Sequence, residues 1–226
     1  MRLAQDGWSV ALHCGFDRSS VTQVQGELGS ACSGCYQADL SSVEGAEKLW
    51  AAARADGPLQ ALVNNAGIYR PASILATEEE WDDVWQETFQ VNLLSPLRLM
   101  RLAAQEFTAQ GSGKVVNVAS RVGFRGESGA ASYAASKAAL INLTRSAAVE
   151  LAPKGVQVFG LAPGWVETAM AREGMETRLD SILKDIPAGR MASPADCGAV
   201  CAFLLREEAA YLTGTTIDIN GASYFH

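Results

Sequence analysis

A tyrosine and a lysine one helical turn apart are the residues of this sequence best suited to chemistry. Tyr133 and Lys137 lie in a segment with helical periodicity, residues 130–151, and side chains at i and i+4 share one face of a helix. A phenol can donate a proton to a carbonyl oxygen, but its ordinary pKa is about 10. A neighbouring ammonium would stabilise the phenolate and lower the pKa of Tyr133. The spacing therefore predicts a general acid of the kind that carbonyl reduction requires.

A serine ahead of this pair could hold the carbonyl. Ser120 lies 13 positions before Tyr133 and directly after an apolar run of strand length, residues 115–118. The carboxyl ends of parallel strands are where such sheets bind ligands, so the hydroxyl of Ser120 could hydrogen-bond a substrate carbonyl and orient it. Taken alone, a serine at a strand end is more often a turn residue, and a Tyr-x-x-x-Lys spacing can arise by accident. The prediction of a catalytic site therefore rests on Ser120, Tyr133 and Lys137 occurring together at these spacings.

The elements that must position these residues follow from hydrophobic patterning. Apolar runs of strand length alternate with longer helix-period segments, which is typical of βαβ units. Continuous Val, Leu and Ile runs, rather than strict alternation, indicate strands that are covered on both faces. The predicted fold class is α/β, with a doubly wound parallel sheet flanked by helices in one domain, residues 1–226. The predicted strands are 9–13, 34–38, 61–64, 115–118, 157–161 and 215–219, and the predicted helices are 41–55, 78–110, 130–151 and 195–205.

Composition excludes several classes of function. The chain of 226 residues has a formal net charge of −7, which argues against nucleic acid or an anionic membrane as the main partner. No apolar stretch approaches the roughly 18 residues of a membrane span, and the first residues lack the apolar core of a signal peptide. We therefore expect a cytoplasmic protein. With only His13 and His226 available, no metal site is predicted.

The cysteines predict packing rather than disulfides or zinc. Their number, five, is odd, and a mid-sized chain of this kind does not resemble a disulfide framework. Cys32 and Cys35 form a Cys-x-x-Cys pair, but no second pair follows at zinc-finger spacing. Cys197 and Cys201 stand one helical turn apart in an apolar run. We attribute both pairs to packing or chance.

Several motifs in order resemble a known enzyme family. Asn64-Asn65-Ala66-Gly67 follows a predicted strand, Tyr133-Ala134-Ala135-Ser136-Lys137 lies on a predicted helix, and Pro163-Gly164 follows the next strand and leads into Thr168. From about residue 7 to the C-terminus, this set resembles the short-chain dehydrogenase/reductase (SDR) family, whose fold is Rossmann-like. Residues 186–190 (IPAGR), 207–214 (EEAAYLTG) and 218–221 (DING) are similar to the 3-oxoacyl-[acyl-carrier-protein] reductase branch.

The resemblance implies a role for each matching residue. Tyr133 would be the proton donor, Lys137 would also hold the nicotinamide ribose, and Asn92 would bind a water that connects Lys137 to solvent. Asp39 and Leu40 would contact the adenine, and the residues from Pro163 to Thr168 would flank the carboxamide. The implied cofactor-binding residues are Asp39, Leu40, Asn65, Ala66, Gly67, Tyr133, Lys137, Pro163, Gly164, Val166 and Thr168.

The choice of cofactor depends on the end of the second family strand. Members that use NAD carry an acid there for the ribose 2′-hydroxyl, whereas this chain has Cys14 and Gly15 at about that position. Asp17 comes too late, and Arg18 could meet a 2′-phosphate. We predict NADP(H), with NAD(H) as the alternative.

The family's glycine-rich phosphate loop has no counterpart in this sequence. SDR chains begin with a strand, a Thr-Gly-x-x-x-Gly-x-Gly loop and a helix whose N-terminus faces the pyrophosphate, but residues 1–7 are similar only to the end of that helix. The sheet would then lack its central first strand, leaving two unpaired edges. We expect a fragment or a misplaced start, rather than a rearranged sheet. A full-length chain of this form should bind dinucleotide weakly.

The leading functional hypothesis is an oxidoreductase that transfers a hydride between NADP(H) and a small-molecule or acyl-carrier-bound ketone, as 3-oxoacyl-[acyl-carrier-protein] reductases do. One alternative is a non-catalytic homologue that serves as an assembly or regulatory subunit; another is an SDR that acts on a sugar or other secondary alcohol. Residues 167–187 are either a surface excursion or a lid over the pocket, and the functional prediction is the lid. Residues 78–110 and the helix from 130 resemble the pair that builds SDR dimers and tetramers, so we expect a homotetramer.

Overall fold

Parallel strands and helices alternate along the chain, as the hydrophobic pattern predicts. The computed structural model describes residues 1–168 and 179–226. Its strands are β1 (Val10–Cys14), β2 (Cys32–Gln37), β3 (Ala61–Asn64), β4 (Gly113–Val118), β5 (Val156–Pro163) and β6 (Thr216–Ile219). Its helices are α1 (Arg2–Gln5), α2 (Ser19–Leu28), α3 (Val43–Ala55), α4 (Glu78–Phe89), α5 (Ser95–Gln110), α6 (Ala131–Leu151), α7 (Leu179–Lys184) and α8 (Pro194–Leu204). The α/β fold class is confirmed.

The strands form two sheets in the described part of the chain rather than one. β1 pairs with β2, β3 to β6 follow one another in the order β3-β4-β5-β6, and every pairing between these strands is parallel. The division falls between β1 and β3, where the sequence predicts two unpaired edges. The β3 residues are mostly half-buried, whereas five of the six β4 residues are buried. This difference is the one expected between an edge strand and a central strand.

The four-stranded sheet is covered on both faces, which explains its continuous apolar runs. On one face, Val115 and Val158 pack with residues of α3, α5 and α6. On the other, Val116 and Phe159 pack with α8 and the turn that follows it. None of these four side chains is accessible to solvent. No helix in the described ranges has the length and apolarity needed to cross a membrane.

A π-helical turn divides the segment that the sequence predicts as one helix, residues 78–110. α4 ends at Phe89, the turn covers Gln90–Leu94, and α5 begins at Ser95. Pro96 has no N–H and cannot donate to the carbonyl of Asn92, four residues earlier. Such turns are frequent at functional sites because they redirect a side chain within a helix. Here the turn buries Asn92 completely.

A β-bulge brings the Cys32–Cys35 pair together. In β2, Cys32 lies opposite Val10 and Gly34 lies opposite Ala11, so that one extra residue is accommodated between them. The side chains of residues three apart on a regular strand point to opposite faces of the sheet. The extra residue of the bulge shifts this alternation by one, so that both cysteines lie on the same face. Their sulfur atoms are 3.8 Å apart, within reach of an S–H···S contact. The structure therefore supports packing for this pair, and all five cysteines are free thiols.

We predict that Phe107→Ala lowers the free energy of unfolding by about 3–5 kcal/mol. The ring of Phe107 is fully buried, lies edge-on to Trp50 with 6.2 Å between ring centroids, and fills the space that a side chain on Gly113 would need. Chemical denaturation measures the change. Tyr211→Ala, at a fully exposed tyrosine, is the control and should change stability by less than about 0.5 kcal/mol. A loss at Phe107 no larger than the control would contradict this packing.

Candidate active site

The Tyr133 and Lys137 side chains enter a cavity of about 550 Å³ beside the carboxyl ends of β3, β4 and β5. Both residues lie near the beginning of α6, and the Nζ atom of Lys137 donates to the carbonyl oxygen of Val118 at 2.9 Å. The same Nζ lies 5.7 Å from the centre of the Tyr133 ring. The predicted residues that line the cavity are Asn65, Gly67, Ser120, Tyr133, Lys137, Pro163, Gly164, Val166 and Thr168.

Burial makes Tyr133 a neutral phenol in this arrangement. Burial raises the pKa of Tyr133, a hydrogen bond with Ser120 lowers it, and the nearby Tyr69 and Glu127 raise it. The sequence predicted the opposite net effect, a pKa lowered by Lys137. The difference arises because the amine of Lys137 is bonded to a strand carbonyl while desolvation of the phenolate dominates. Tyr133 is therefore protonated at neutral pH and ready to act as an acid.

Lys137 is a buried lysine, and burial raises the free energy of its charged form. Its side chain is only 4% exposed, and burial lowers the pKa of Lys137 to about 8. The ammonium form is therefore present below about pH 8 and is lost above it. A buried amine with a lowered pKa beside a phenol is typical of a functional site, since structure alone gains nothing from it.

Ser120 is placed by a short 3₁₀ turn at the end of β4. The turn covers Arg121–Gly123, and the Oγ atom of Ser120 accepts from the N–H of Val122 at 3.4 Å. Hydrogen bonding from Ser120 also lowers the pKa of Tyr133, although burial outweighs it. Ser120 and Tyr133 line the same cavity, and their joint binding of one carbonyl oxygen stays a prediction.

The side chain of Asn92 positions a loop and does not line the cavity. Its Oδ1 accepts from the Ile68 N–H at 2.8 Å, and its Nδ2 donates to the Ile68 carbonyl at 2.9 Å. A Cβ atom on Gly67 would lie 3.1 Å from Asn92 Oδ1 and 3.4 Å from Lys137 Nζ. Glycine at position 67 therefore lets the loop pass close to both groups. The predicted binding of a water by Asn92 stays a prediction.

Three of the predicted cofactor contacts lie away from the cavity. Leu40 is buried in the core between α3 and α5, and Ala66 packs against the same core. Asp39 is exposed at the loop after β2, where its Oδ1 accepts from the Ser41 N–H at 2.8 Å. The backbone and hydroxyl hydrogen bonds from Ser41 lower the pKa of Asp39. An adenine contact at Asp39 and Leu40 stays a prediction.

A chain of buried amides fixes α6 against the sheet. Asn64 Nδ2 donates to Asn117 Oδ1 at 2.9 Å, and Asn117 Nδ2 donates to Thr144 Oγ1 at 3.0 Å. The chain joins β3, β4 and α6, and all three residues are buried. Because a buried amide without a partner is costly, each link constrains the others. The first asparagine of the Asn64–Gly67 motif is therefore structural.

Sequence reasoning missed several residues of the cavity wall. Tyr69 lies edge-on to Tyr133, with ring centroids 5.2 Å apart, and Arg121 is a buried cation next to Ser120. Position alone could have indicated Arg121, since it follows the predicted carbonyl anchor. Trp165, Cys197 and Cys201 also line the cavity. Of the predicted lid, residues 167–187, Thr168 and Ile182 reach the wall, and residues 169–178 lie outside the described residues.

Comparisons with known proteins agree on one family. Residues 1–222 match a family model described as enoyl-(acyl carrier protein) reductase. The chain is 40% identical over 169 residues to the 3-oxoacyl-[acyl-carrier-protein] reductase FabG of Vibrio cholerae serotype O1, covering 74% of this chain and 68% of that protein. It is 33% identical over 230 residues to the acetoacetyl-CoA reductase of Allochromatium vinosum, covering 100% of this chain and 92% of that protein.

A solved structure with the same fold gives a third comparison. It is the gluconate 5-dehydrogenase of Burkholderia cenocepacia J2315 in complex with NADP and tartrate, with a TM-score of 0.88 and 27% sequence identity. The superposition covers 98% of this chain and 88% of that one. The Rossmann-like arrangement implied by the motifs is confirmed.

We predict that Lys137→Met raises the free energy of unfolding at about pH 7 by about 1–3 kcal/mol, because it removes a buried charge. The unfolded chain holds the lysine proton up to a pKa of about 10.5, whereas the folded chain releases it near 8. Wild-type stability therefore rises between these values, and the advantage of the variant should shrink by about pH 10. Denaturant titrations at both pH values measure this. Lys48→Met, at an exposed lysine, is the control, and a destabilised Lys137→Met would contradict the prediction.

Proposed function

The chain belongs to the short-chain dehydrogenase/reductase family, and we propose that it reduces the ketone of a 3-oxoacyl thioester with NADPH. The observation that carries the proposal is the protonated phenol of Tyr133, which lines the same cavity as Ser120 and Lys137. The substrate class follows the two relatives named for reduction of 3-oxoacyl-[acyl-carrier-protein] and of acetoacetyl-CoA. Both substrates are 3-oxoacyl thioesters.

NADP(H) is the proposed cofactor, and the wall of the cavity offers contacts for its nicotinamide-ribose end. Gly67 leaves room beside Lys137 that a Cβ atom would occupy, and Gly164 abuts Asn220 with similar closeness. The Lys137 ammonium and the Asn65 amide offer donors toward a ribose. Pro163, Gly164 and Thr168 continue the wall after β5. When bound there, NADPH supplies the hydride that adds to the ketone carbon. The related gluconate 5-dehydrogenase was solved with NADP.

The residues of the chain supply the proton and stabilise charge. As the carbonyl oxygen gains negative charge, Ser120 donates a hydrogen bond to it, and Tyr133 transfers its hydroxyl proton to it. The phenolate that remains on Tyr133 is stabilised by the nearby Lys137 ammonium, whose effect is large in a cavity with little water. Burial favours the protonated phenol. The protonated phenol is the form that donates a proton when a ketone is reduced.

We further propose a cytoplasmic homotetramer. The free thiols of all five cysteines suit a reducing compartment. Leu97 on α5 is 39% exposed and Val149 on α6 is 80% exposed, which leaves apolar surface on both helices of the proposed interface. Light scattering tests the assembly, and a monomer would contradict it.

The alternative substrate is a sugar acid or another secondary alcohol, which the likeness to gluconate 5-dehydrogenase favours. Initial rates with acetoacetyl-CoA and with 5-ketogluconate, each with NADPH, distinguish the two. Faster turnover of the thioester supports the proposed function. Faster turnover of the sugar acid supports the alternative. If titration calorimetry detects no NADPH binding, the remaining hypothesis, a non-catalytic subunit, gains support.

We predict that Tyr133→Phe lowers kcat for ketone reduction by about 10²–10⁴-fold, because it removes the proton donor while keeping the ring that contacts Tyr69. The rate of NADPH consumption with acetoacetyl-CoA measures the effect. Tyr211→Phe loses the same hydroxyl on the exposed surface and should keep wild-type kcat. Full activity of Tyr133→Phe would refute the assignment of the acid.

We predict that kcat/KM for ketone reduction falls as the pH rises above about 8. The reason is that Lys137, whose pKa burial lowers to about 8, loses its ammonium there, and kcat/KM reports groups of the free enzyme. Tyr133, whose pKa is raised, stays protonated over the same range. A pH profile from about 6 to 10 gives the measurement. A flat profile across this range would show that the charge of Lys137 is not needed.

A further inference from the structure

Arg121 is a buried cation in the wall of the cavity, beside the residue that anchors the carbonyl. Its side chain is 5% exposed, although arginine is rarely buried without a partner. It follows Ser120 directly, so the two Cα atoms lie about 3.8 Å apart, and both residues line the same cavity as Tyr133 and Lys137. Arg121 therefore contributes a second cation, besides Lys137, to the described wall of the cavity that holds Ser120.

The hydrogen bonds of Arg121 leave part of the guanidinium unused. One Nη atom donates to the Ser223 hydroxyl at 2.7 Å, while the Nε–H is enclosed by protein without a partner among the described residues. Any hydrogen bond from this side chain to a ligand must therefore come from its Nη atoms. Glu127 and Asp185 favour its charge through space, but burial and Arg125 outweigh them and lower the pKa of Arg121. A buried guanidinium with an unpaired donor costs free energy. Such a group in a native site calls for an explanation.

We propose that Arg121 determines substrate specificity by donating a hydrogen bond to a second oxygen of the substrate, close to the ketone that Ser120 and Tyr133 bind. This inference rests on the proposed function and extends it. In a 3-oxoacyl thioester the second oxygen is the thioester carbonyl, two carbons from the ketone; in a free 3-oxo acid such as acetoacetate it belongs to the carboxylate at the same position. A guanidinium suits both acceptors because it presents several N–H groups in one plane. A ketone without a second acceptor gains nothing from it.

The test compares substrates that differ in this oxygen. Arg121→Met keeps an unbranched side chain and removes the donors. With the N-acetylcysteamine thioester of acetoacetate, which carries no phosphate, kcat/KM should fall about 10–100-fold, as expected for a lost hydrogen bond to a charged group. With cyclohexanone it should change less than about twofold. Arg125→Met removes an exposed cation four residues away and should leave both substrates unaffected. Arg121→Lys should recover part of the thioester activity.

Each outcome decides between the possible roles of Arg121. An equal loss of kcat/KM with both substrates means that Arg121 only supports the fold. No loss with either substrate means that Arg121 contacts neither of them. Each of these two outcomes overturns the inference. A loss confined to 5-ketogluconate, with the acetoacetyl thioester unchanged, also overturns the inference, because the carboxylate of 5-ketogluconate is four carbons from its ketone. If the wild-type chain reduces none of these ketones, the proposed function fails. Calorimetric titration of acetoacetate then still tests Arg121, because weaker binding to Arg121→Met supports the inference and equal binding overturns it.

Discussion

Burial of an ammonium and a phenol together, at the beginning of α6, is the constraint on which the site depends. Desolvation lowers the pKa of Lys137 to about 8 and raises that of Tyr133. In both residues it therefore favours the uncharged form of the side chain. The lysine keeps its proton at neutral pH only narrowly, and the tyrosine keeps its proton readily. When Tyr133 gives up its proton, its phenolate forms an ion pair with the Lys137 ammonium. Before the reaction Tyr133 is neutral, so this ion pair is absent. The charge of Lys137 thus gains its partner only as the reaction proceeds, which is where electrostatic stabilisation accelerates a reaction.

The rest of the four-stranded sheet holds this pair in place. The buried amides of Asn64 and Asn117 join two strands to Thr144 on α6, and the π-helical turn directs Asn92 onto the backbone of Ile68. These contacts bury polar groups that must all be satisfied, so a shift of α6 would break several at once. The positions around the reacting atoms are therefore supported by rigid elements rather than by loops alone. Such support is what a site with little tolerance for misplacement requires.

The residues predicted for catalysis and those predicted to contact the adenine follow strands of different sheets. Ser120, Tyr133, Lys137 and the residues after β5 belong to elements of the sheet β3-β4-β5-β6, and these residues share one cavity. Asp39 and Leu40 follow β2, in the other sheet, and Leu40 is used as core. The groups proposed for the chemical step thus come from one continuous sheet and its helices. The predicted adenine side lies on the loop after β2, which is tied to this sheet through the packing of Leu40 and through the Ser95 hydroxyl, which donates to the Leu40 carbonyl at 2.7 Å.

The sequence by itself determined the features that depend on local spacing. Tyr133 and Lys137 share a helical face because they are four residues apart, and the apolar runs mark strands because both faces of the sheet are covered. The helix α2 was not predicted from the sequence. Tertiary structure decided what depends on distant groups: the raised pKa of Tyr133, the partner of Asn92 and the burial of Arg121. The reason is physical. Burial and hydrogen bonding are set by residues far apart in the chain, and a motif specifies its own side chains without specifying what surrounds them.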